Sequence, residues 1–309
     1  MRFIEEKDIR EIEPCAATIG CFDGVHQGHR FLISQVRSVA SGMKLKSAVI
    51  TFPVHPRQVM QSDYRPQLLS CLEQKTELIG SIDADYCILL PFTRELSMLT
   101  AREFMQLLHD KYNVRTLVIG YDHRFGHNRA ETFDDYCRYG TEIGIRVVKA
   151  EPLKDEESGT FISSSAVRKL LDRGDIRTAN RYLGYRYYLD GTVTGGYKVG
   201  RTIGFPTANI TPSCIDKMIP QPGVYAVRTL VDGKCYRGML NIGCRPTVNN
   251  GTDISIEVHI LDFNSDIYNH RIRIEFIEKV RPEMKFASLE ELAGQLEKDK
   301  ITISKTVDL

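Results

Sequence analysis

The chain has 309 residues, more than one compact domain usually holds, which favours two. Lys and Arg total 41 against 40 Asp and Glu, and a net charge of +1 argues against nucleic acid or an anionic membrane as the main partner. With 42% hydrophobic and 26% charged residues, the composition is that of a soluble globular protein. The longest notable apolar run, Tyr86 to Phe92, is too short for a membrane span, and the charged start MRFIEEKDIR offers no core for a signal peptide. Eight cysteines occur without a C-x-x-C pair, so neither a disulfide framework nor a zinc site is expected. The reading is a reduced, cytoplasmic protein.

Up to residue 183, short β-rich runs alternate with segments of helical period. Strands are expected over Ala16 to Gly20, Lys46 to Phe52, Asp85 to Phe92, Arg115 to Tyr121 and Ile145 to Ala150. Between them fall helices over Phe31 to Ser41, Gln74 to Ser81, Thr100 to Lys111 and Thr132 to Ile143. Alternation of this kind implies an α/β domain, residues 1–183, whose parallel sheet is covered on both faces. Two more helices follow, one opening at Ser163 to Ser165 and one over Asp175 to Leu183. After Gly184 the texture changes to strands with short turns: Tyr187 to Thr194, Val224 to Val231, Tyr236 to Ile242, Ile254 to Leu261 and Arg271 to Val280. Asp232-Gly233 and Asn250-Gly251 mark turns. Residues 184–309 therefore read as a small antiparallel β-barrel with a terminal amphipathic helix around Leu289 to Glu297.

The densest local signal is Gly20-Cys21-Phe22-Asp23-Gly24-Val25-His26-Gln27-Gly28-His29, between the first strand and the first helix. Glycines allow close backbone approach to an anion, and a helix start offers free N–H groups and a positive dipole end. His26 and His29, at i and i+3, share a face from which both can donate to one phosphate. The same residues also fit a tight strand-to-helix turn with surface histidines, or a metal site whose third ligand is not evident. Ligands of parallel sheets sit at the carboxyl ends of strands, where Asp23, His26, Phe52, His55, Asp122 and Phe125 all fall. Asp122-His123-Arg124-Phe125-Gly126 reads as a ligand-facing loop offering an aromatic ring to a planar group.

A second signal is Gly195-Gly196-Tyr197-Lys198-Val199-Gly200-Arg201-Thr202-Ile203-Gly204-Phe205-Pro206-Thr207-Ala208-Asn209. Its glycines and cations suit a loop that wraps phosphates, and equally a hairpin loop before a strand. In extended backbone Thr207 and Asn209 point to one side, where a hydroxyl and an amide oxygen could hold Mg²⁺ with nucleotide phosphates. Alternation over Ile254 to Ile260 puts Ser255, Glu257 and His259 opposite the isoleucine face. Glu257 is then a solvent-facing strand residue or a general base for phosphoryl transfer.

The H-x-G-H signature resembles that of the nucleotidylyltransferases related to class I aminoacyl-tRNA synthetases, an assignment that implies a Rossmann-like fold. Ile162-Ser163-Ser164-Ser165-Ala166-Val167-Arg168 fits the second phosphate-binding segment of that group. Gly204-Phe205-Pro206-Thr207-Ala208-Asn209, Gly223 to Val227, Asn241 to Thr247, Glu257 to Phe263 and Arg281 to Phe286 resemble riboflavin kinase. Together the match spans nearly the whole chain and is similar to the bacterial bifunctional riboflavin kinase/FAD synthetases. The resemblance implies phosphorylation of riboflavin by ATP to FMN, then adenylylation of FMN by a second ATP to FAD and pyrophosphate. It implies riboflavin, FMN and ATP as substrates, and Mg²⁺ accompanying ATP without a tightly bound protein-only metal.

By the same resemblance, Glu257 is the kinase base, Thr207 and Asn209 hold the metal, and Gly196, Lys198 and Gly204 belong to the loop over the phosphates. His26 and His29 stabilise phosphate charge in the loop of Gly20, Phe22, Asp23, Gly24 and Gly28. Ser163, Ser164 and Arg168 hold the triphosphate, while Phe52, Asp122 and Phe125 lie on the flavin side. Three positions depart from the family pattern. Thr51-Phe52-Pro53-Val54-His55-Pro56 has its first proline displaced by one residue, Ser165 stands where threonine is common, and Asn269 stands where glycine is usual. Asparagine tolerates positive φ, so the turn at Asn269 is expected to keep its shape.

Overall fold

The computed structural model describes every residue except 62, 122, 128, 196–199, 201–202, 247–251 and 309. Two compact units divide the chain, Met1–Ser164 and Ser165–Leu309.

The first unit is built on β1 (Arg2–Ile4), β2 (Cys15–Ile19), β3 (Lys46–Thr51), β4 (Tyr86–Leu89), β5 (Val114–Ile119) and β6 (Arg146–Lys149). They form one sheet in the order β1-β4-β3-β2-β5-β6, every neighbouring pair parallel. A parallel sheet covered on both faces needs strands apolar throughout, and every residue of β2 is buried. The helices are α1 (Gln27–Met43), α2 (Pro56–Met60), α3 (Leu72–Gly80), α4 (Arg94–Met98), α5 (Ala101–Tyr112) and α6 (Phe133–Ile143). Capping boxes at Thr100/Glu103 and Thr132/Asp135 start α5 and α6 where the sequence places them. The edge strand β1 and the short α2 and α4 were not expected, because segments of three to five residues are too short to show a period.

The division falls at the first residue of α7 (Ser164–Arg173), so the second unit opens with the rest of that helix and α8 (Ile176–Leu183). The compact division therefore falls well before the 183/184 boundary read from the change in texture. The reason is that α8 is tied to the barrel. Asn180 donates to the Phe276 carbonyl at 2.9 Å and accepts the Tyr187 N–H at 2.7 Å. Six strands follow: β7 (Tyr188–Thr194), β8 (Ala208–Pro212), β9 (Gly223–Val231), β10 (Lys234–Pro246), β11 (Thr252–Ile260) and β12 (Arg271–Arg281). They close into an antiparallel barrel in the order β10-β11-β8-β7-β12-β9. At the β9–β10 turn Asp232 and Gly233 have φ of 46° and 78°, the two positive values a primed hairpin turn needs. The other turn signal, Asn250-Gly251, lies outside the described residues.

The terminal helix α9 (Leu289–Thr306) runs past the expected end at Glu297. The charged stretch after it hid the continuation, yet Asp299 is buried there and pairs with Arg281 of β12 at 2.9 Å. Asn269 adopts φ 65°, the left-handed conformation expected at a glycine position, while its N–H donates to Val193 at 2.9 Å. Asn269→Ala should cost about 1 kcal/mol and Asn269→Gly should be near neutral. Urea unfolding of the two variants, followed by circular dichroism, checks the difference.

Candidate active sites

The strand order makes β2 the point from which the chain builds outward, first toward β3 and β4, then back to β5 and β6. A crevice opens at the carboxyl ends of β2 and β5 in such a sheet. The loop leaving β2 takes unusual backbone: φ is 49° at Phe22, 78° at Gly24 and 38° at Val25. Non-glycine residues in that region store strain that packing must hold, and both the Phe22 and Val25 side chains are buried. Asp23 supplies the polar restraint. Its buried carboxylate accepts the N–H groups of Leu69 and Ser70, each at 2.9 Å, and the Ser70 hydroxyl accepts the Gly24 N–H at 2.8 Å.

His26 caps α1, its Nδ1 accepting the His29 N–H at 3.2 Å, and the two imidazoles stack with centroids 3.6 Å apart. They therefore share one face, with the Nδ1 of His26 engaged by the helix backbone. Burial, then His26 and Lys75, hold the His29 imidazole well below the ordinary histidine range. Two neutral rings can stack this closely where two imidazolium ions would repel.

The Ser163–Ser164 segment meets this loop. The Ser164 hydroxyl donates to the Asp23 carbonyl at 2.9 Å, and a Cβ on Gly28 would lie 2.6 Å from the Ile162 carbonyl oxygen. Two segments far apart in sequence, each singled out for phosphate binding, are thus in direct contact. Gly20 prolongs β2, its N–H donating to Ile50 at 3.1 Å. Ser163 stands just before α7, and Arg168 lies about one turn into that helix.

An apolar cavity of about 250 Å³ has Phe52, Phe92, Phe104, Phe125, Arg57 and Arg129 among its lining residues. Phe125 is presented differently from the expected free ring. Tyr136 stacks on it at 4.3 Å and bonds both its N–H and its carbonyl through the phenol oxygen, so one ring face is already covered. Asp122 lies outside the described residues. A neighbouring cavity of about 220 Å³ is bounded by Asp23, Phe52, His55, Ser70 and Lys75. Lys75 was missed in the sequence, although it shares a helical face with Leu78 and Ile79, where a lysine is out of place.

In the barrel, Glu257 of β11 is directly opposite Asn209 of β8 on one side and Asn241 of β10 on the other. Opposed residues of a ladder point to the same face, so the three form a polar row. Thr207 extends it, its hydroxyl donating to Glu257 Oε2 at 3.3 Å. Thr207, Asn209 and Glu257 are thereby brought together, and Asn241 joins them. His259 Nδ1 lies 2.8 Å from the Pro206 carbonyl and the Phe205 ring packs edge-on against the imidazole, holding the Gly204–Thr207 segment on the strand. Gly204 has φ 83°. A cavity of about 350 Å³ opens beside Thr207, walled by Val258, Phe263 and Tyr268. Gly196 and Lys198 lie outside the described residues.

A FAD synthetase family model matches residues 8–166, and a riboflavin kinase family model matches residues 183–307. A bifunctional riboflavin kinase/FMN adenylyltransferase of Listeria monocytogenes is 37% identical over 91% of this chain and 89% of its own length. The enzyme of that name from Escherichia coli K12 is 37% identical over 94% of this chain and 92% of its own. The chain belongs to the bifunctional riboflavin kinase/FMN adenylyltransferase family. A crystal structure described as a macrolide-efflux protein from Streptococcus pneumoniae also matches, with TM-score 0.87 and 29% identity over 98% of each chain. Among the described residues of this family member, no helix is long and apolar enough to cross a membrane. The family models leave residues 167–182, most of α7 and α8, unmatched.

Because Gly28 approaches a backbone carbonyl, Gly28→Ala should cost about 1–3 kcal/mol, the usual penalty of overpacking. The check is a lowered urea midpoint with an unchanged m value.

Proposed function

We propose that each activity of this bifunctional flavin-cofactor enzyme is carried by its own stretch of the chain, with residues 1–183 serving adenylyl transfer and residues 184–309 serving the kinase. The kinase joins the riboflavin 5′-hydroxyl to the γ-phosphorus of ATP, giving FMN and ADP. The adenylyltransferase joins an FMN phosphate oxygen to the α-phosphorus of a second ATP, giving FAD and pyrophosphate. Riboflavin, FMN and ATP are then the partners, in the cytoplasm, with no role for nucleic acid or a membrane surface.

The observation that carries the kinase reading is the row of Asn209, Glu257 and Asn241 flanked by Thr207, which itself lines a cavity. A hydroxyl, an amide and a carboxylate are hard oxygen donors of the kind Mg²⁺ takes, so Thr207 and Asn209 fit the metal that accompanies ATP. When bound, Mg²⁺ neutralises phosphate charge as the γ-phosphoryl group moves. Glu257 accepts the hydroxyl proton as the new P–O bond forms, and Thr207 holds the carboxylate in place by its hydrogen bond. The segment that includes Gly196, Lys198 and Gly204 covers the phosphates.

For adenylyl transfer no covalent intermediate is required, so positioning and charge stabilisation supply the rate. His29, kept neutral by burial, and His26 donate hydrogen bonds to the phosphate oxygens as charge builds on the leaving pyrophosphate. Ser163, Ser164 and Arg168 hold the triphosphate, and Gly20, Gly24 and Gly28 let backbone come close to it. Asp23 gives the loop its shape. The apolar cavity bounded by Phe52 and Phe125 takes the flavin ring, to which the family resemblance also assigns Asp122.

His29→Ala should stop FAD formation while FMN accumulates from riboflavin. Glu257→Ala should stop FMN formation while supplied FMN is still turned into FAD. Chromatography of products from riboflavin, ATP and Mg²⁺ reads both, and loss of both reactions in either folded variant would refute separate sites. Because His29 protonates only below the ordinary histidine range, FAD formation should keep its full rate down through pH 6.5 and fall only at lower pH. A pH series with FMN and ATP as substrates measures that limb.

A further inference from the structure

Lys75 is a buried cation that neither reaction above employs. It projects from α3, a helix that begins directly after Ser70, and is 8% exposed. Its ammonium donates to the Phe52 carbonyl at 2.6 Å and to the Cys21 carbonyl at 3.3 Å. Phe52 is the first residue beyond β3, and Cys21 lies just beyond β2. Parallel strands end with carbonyls that the sheet no longer pairs, and leaving such groups unmade in a buried place is costly. The Thr51 hydroxyl also donates to the Cys21 carbonyl, at 3.2 Å. The two exits are thus cross-linked at one point by side chains alone.

The loops that leave these exits are the ones the chemistry needs. One carries Asp23, His26 and His29; the other carries Phe52 to Pro56. The segment just before α3 holds the first loop a second time, through the Ser70 and Leu69 N–H groups on Asp23. Resting on the adenylyltransferase reading of this unit, we infer that Lys75 is a positioning residue for adenylyl transfer, clamping the exits of β2 and β3 so that the histidine loop and the flavin-side loop keep one spacing. A methionine or leucine would suit the apolar face of α3 better, and ammonium desolvation opposes burial of a lysine there. A stem of that length with a charged donor is what two carbonyls on adjacent strands require.

The clamp also places charge. The groups acting on the His29 imidazole are its stacked neighbour His26, from the start of α1, and Lys75, from α3. A fixed ammonium disfavours an imidazolium nearby, so Lys75 helps to keep His29 a neutral donor. Removing the charge therefore raises the His29 pKa, and the acid limb of FAD formation moves to higher pH.

The test uses the full chain with Lys75→Met and Lys75→Arg. In Lys75→Met, phosphorylation of riboflavin should be unchanged, while kcat/KM for FAD from FMN falls by at least about tenfold, the loss expected for a charge-assisted hydrogen bond. Its acid limb should shift to higher pH, and Lys75→Arg should return the limb toward its original place. Should Lys75→Met not fold, Lys75→Gln, which keeps a donor without charge, should show the same shift. A lower melting temperature with kcat/KM and acid limb both unchanged would make Lys75 merely structural and overturn the inference. If the unaltered protein makes no FAD, the adenylyltransferase reading fails instead. The clamp is then decided by NMR titration of the His29 ring, assigned by comparison with His29→Ala: a rise in its pKa in Lys75→Met supports it, and no change refutes it.

Discussion

The turn after β2 in the first unit hangs on one buried carboxylate. Asp23 accepts the backbone N–H groups of Leu69 and Ser70, and charge-assisted bonds of this kind are roughly twice as strong as neutral ones. They hold the turn after β2 in a shape with Phe22 and Val25 at positive φ, which a free loop would relax. With the turn fixed, α1 starts at His26 and its first turn can face a phosphate. The Ser164 hydroxyl and the Ile162 carbonyl then close on the same turn. Replacing Asp23 would unsettle a loop, a helix start and a second segment together.

The two units bring their candidate site residues together by different means. In the parallel sheet, strand ends supply backbone and loops supply side chains, so precision depends on restraints between loops. In the barrel, Glu257, Asn209 and Asn241 sit within strands, and ladder register sets their spacing without further help. A slip of one residue in β11 would turn Glu257 to the opposite face and put Val258 or Ile256 in its place. The apolar side of β11 resists that slip, since Ile256, Val258 and Ile260 are all buried.

The sequence made the strand-helix alternation and the glycine-rich turn after β2 legible, because each rests on local periodicity or on unusual residue types close together. The Thr207, Asn209 and Glu257 set came instead from the family resemblance, alternation alone leaving Glu257 a solvent-facing strand residue. Long-range pairing was not legible. That Glu257 faces Asn209 depends on β11 lying beside β8, and no pattern within either strand announces its neighbour. Phe125 reads as a free aromatic until Tyr136, from the following helix, is seen to cover one face. Lys75 shows only as a charge on an apolar helical face, and its partners are carbonyls, which every residue carries. The end of α9 was hidden for a related reason: Asp299 looks like a solvent residue until Arg281 is placed beside it.

Closure of the barrel bears on the order in which the enzyme matures during synthesis. The ring is completed by β12, which pairs with β7 on one side and β9 on the other. β12 is the last strand made, and pairing with β7 spans most of the unit, so loop-closure entropy opposes it until late. The first unit is a compact body within Met1–Ser164, and domains generally fold in the order in which they are made. The unit holding the later chemical step is thus ready first, and the one that begins the sequence is ready last.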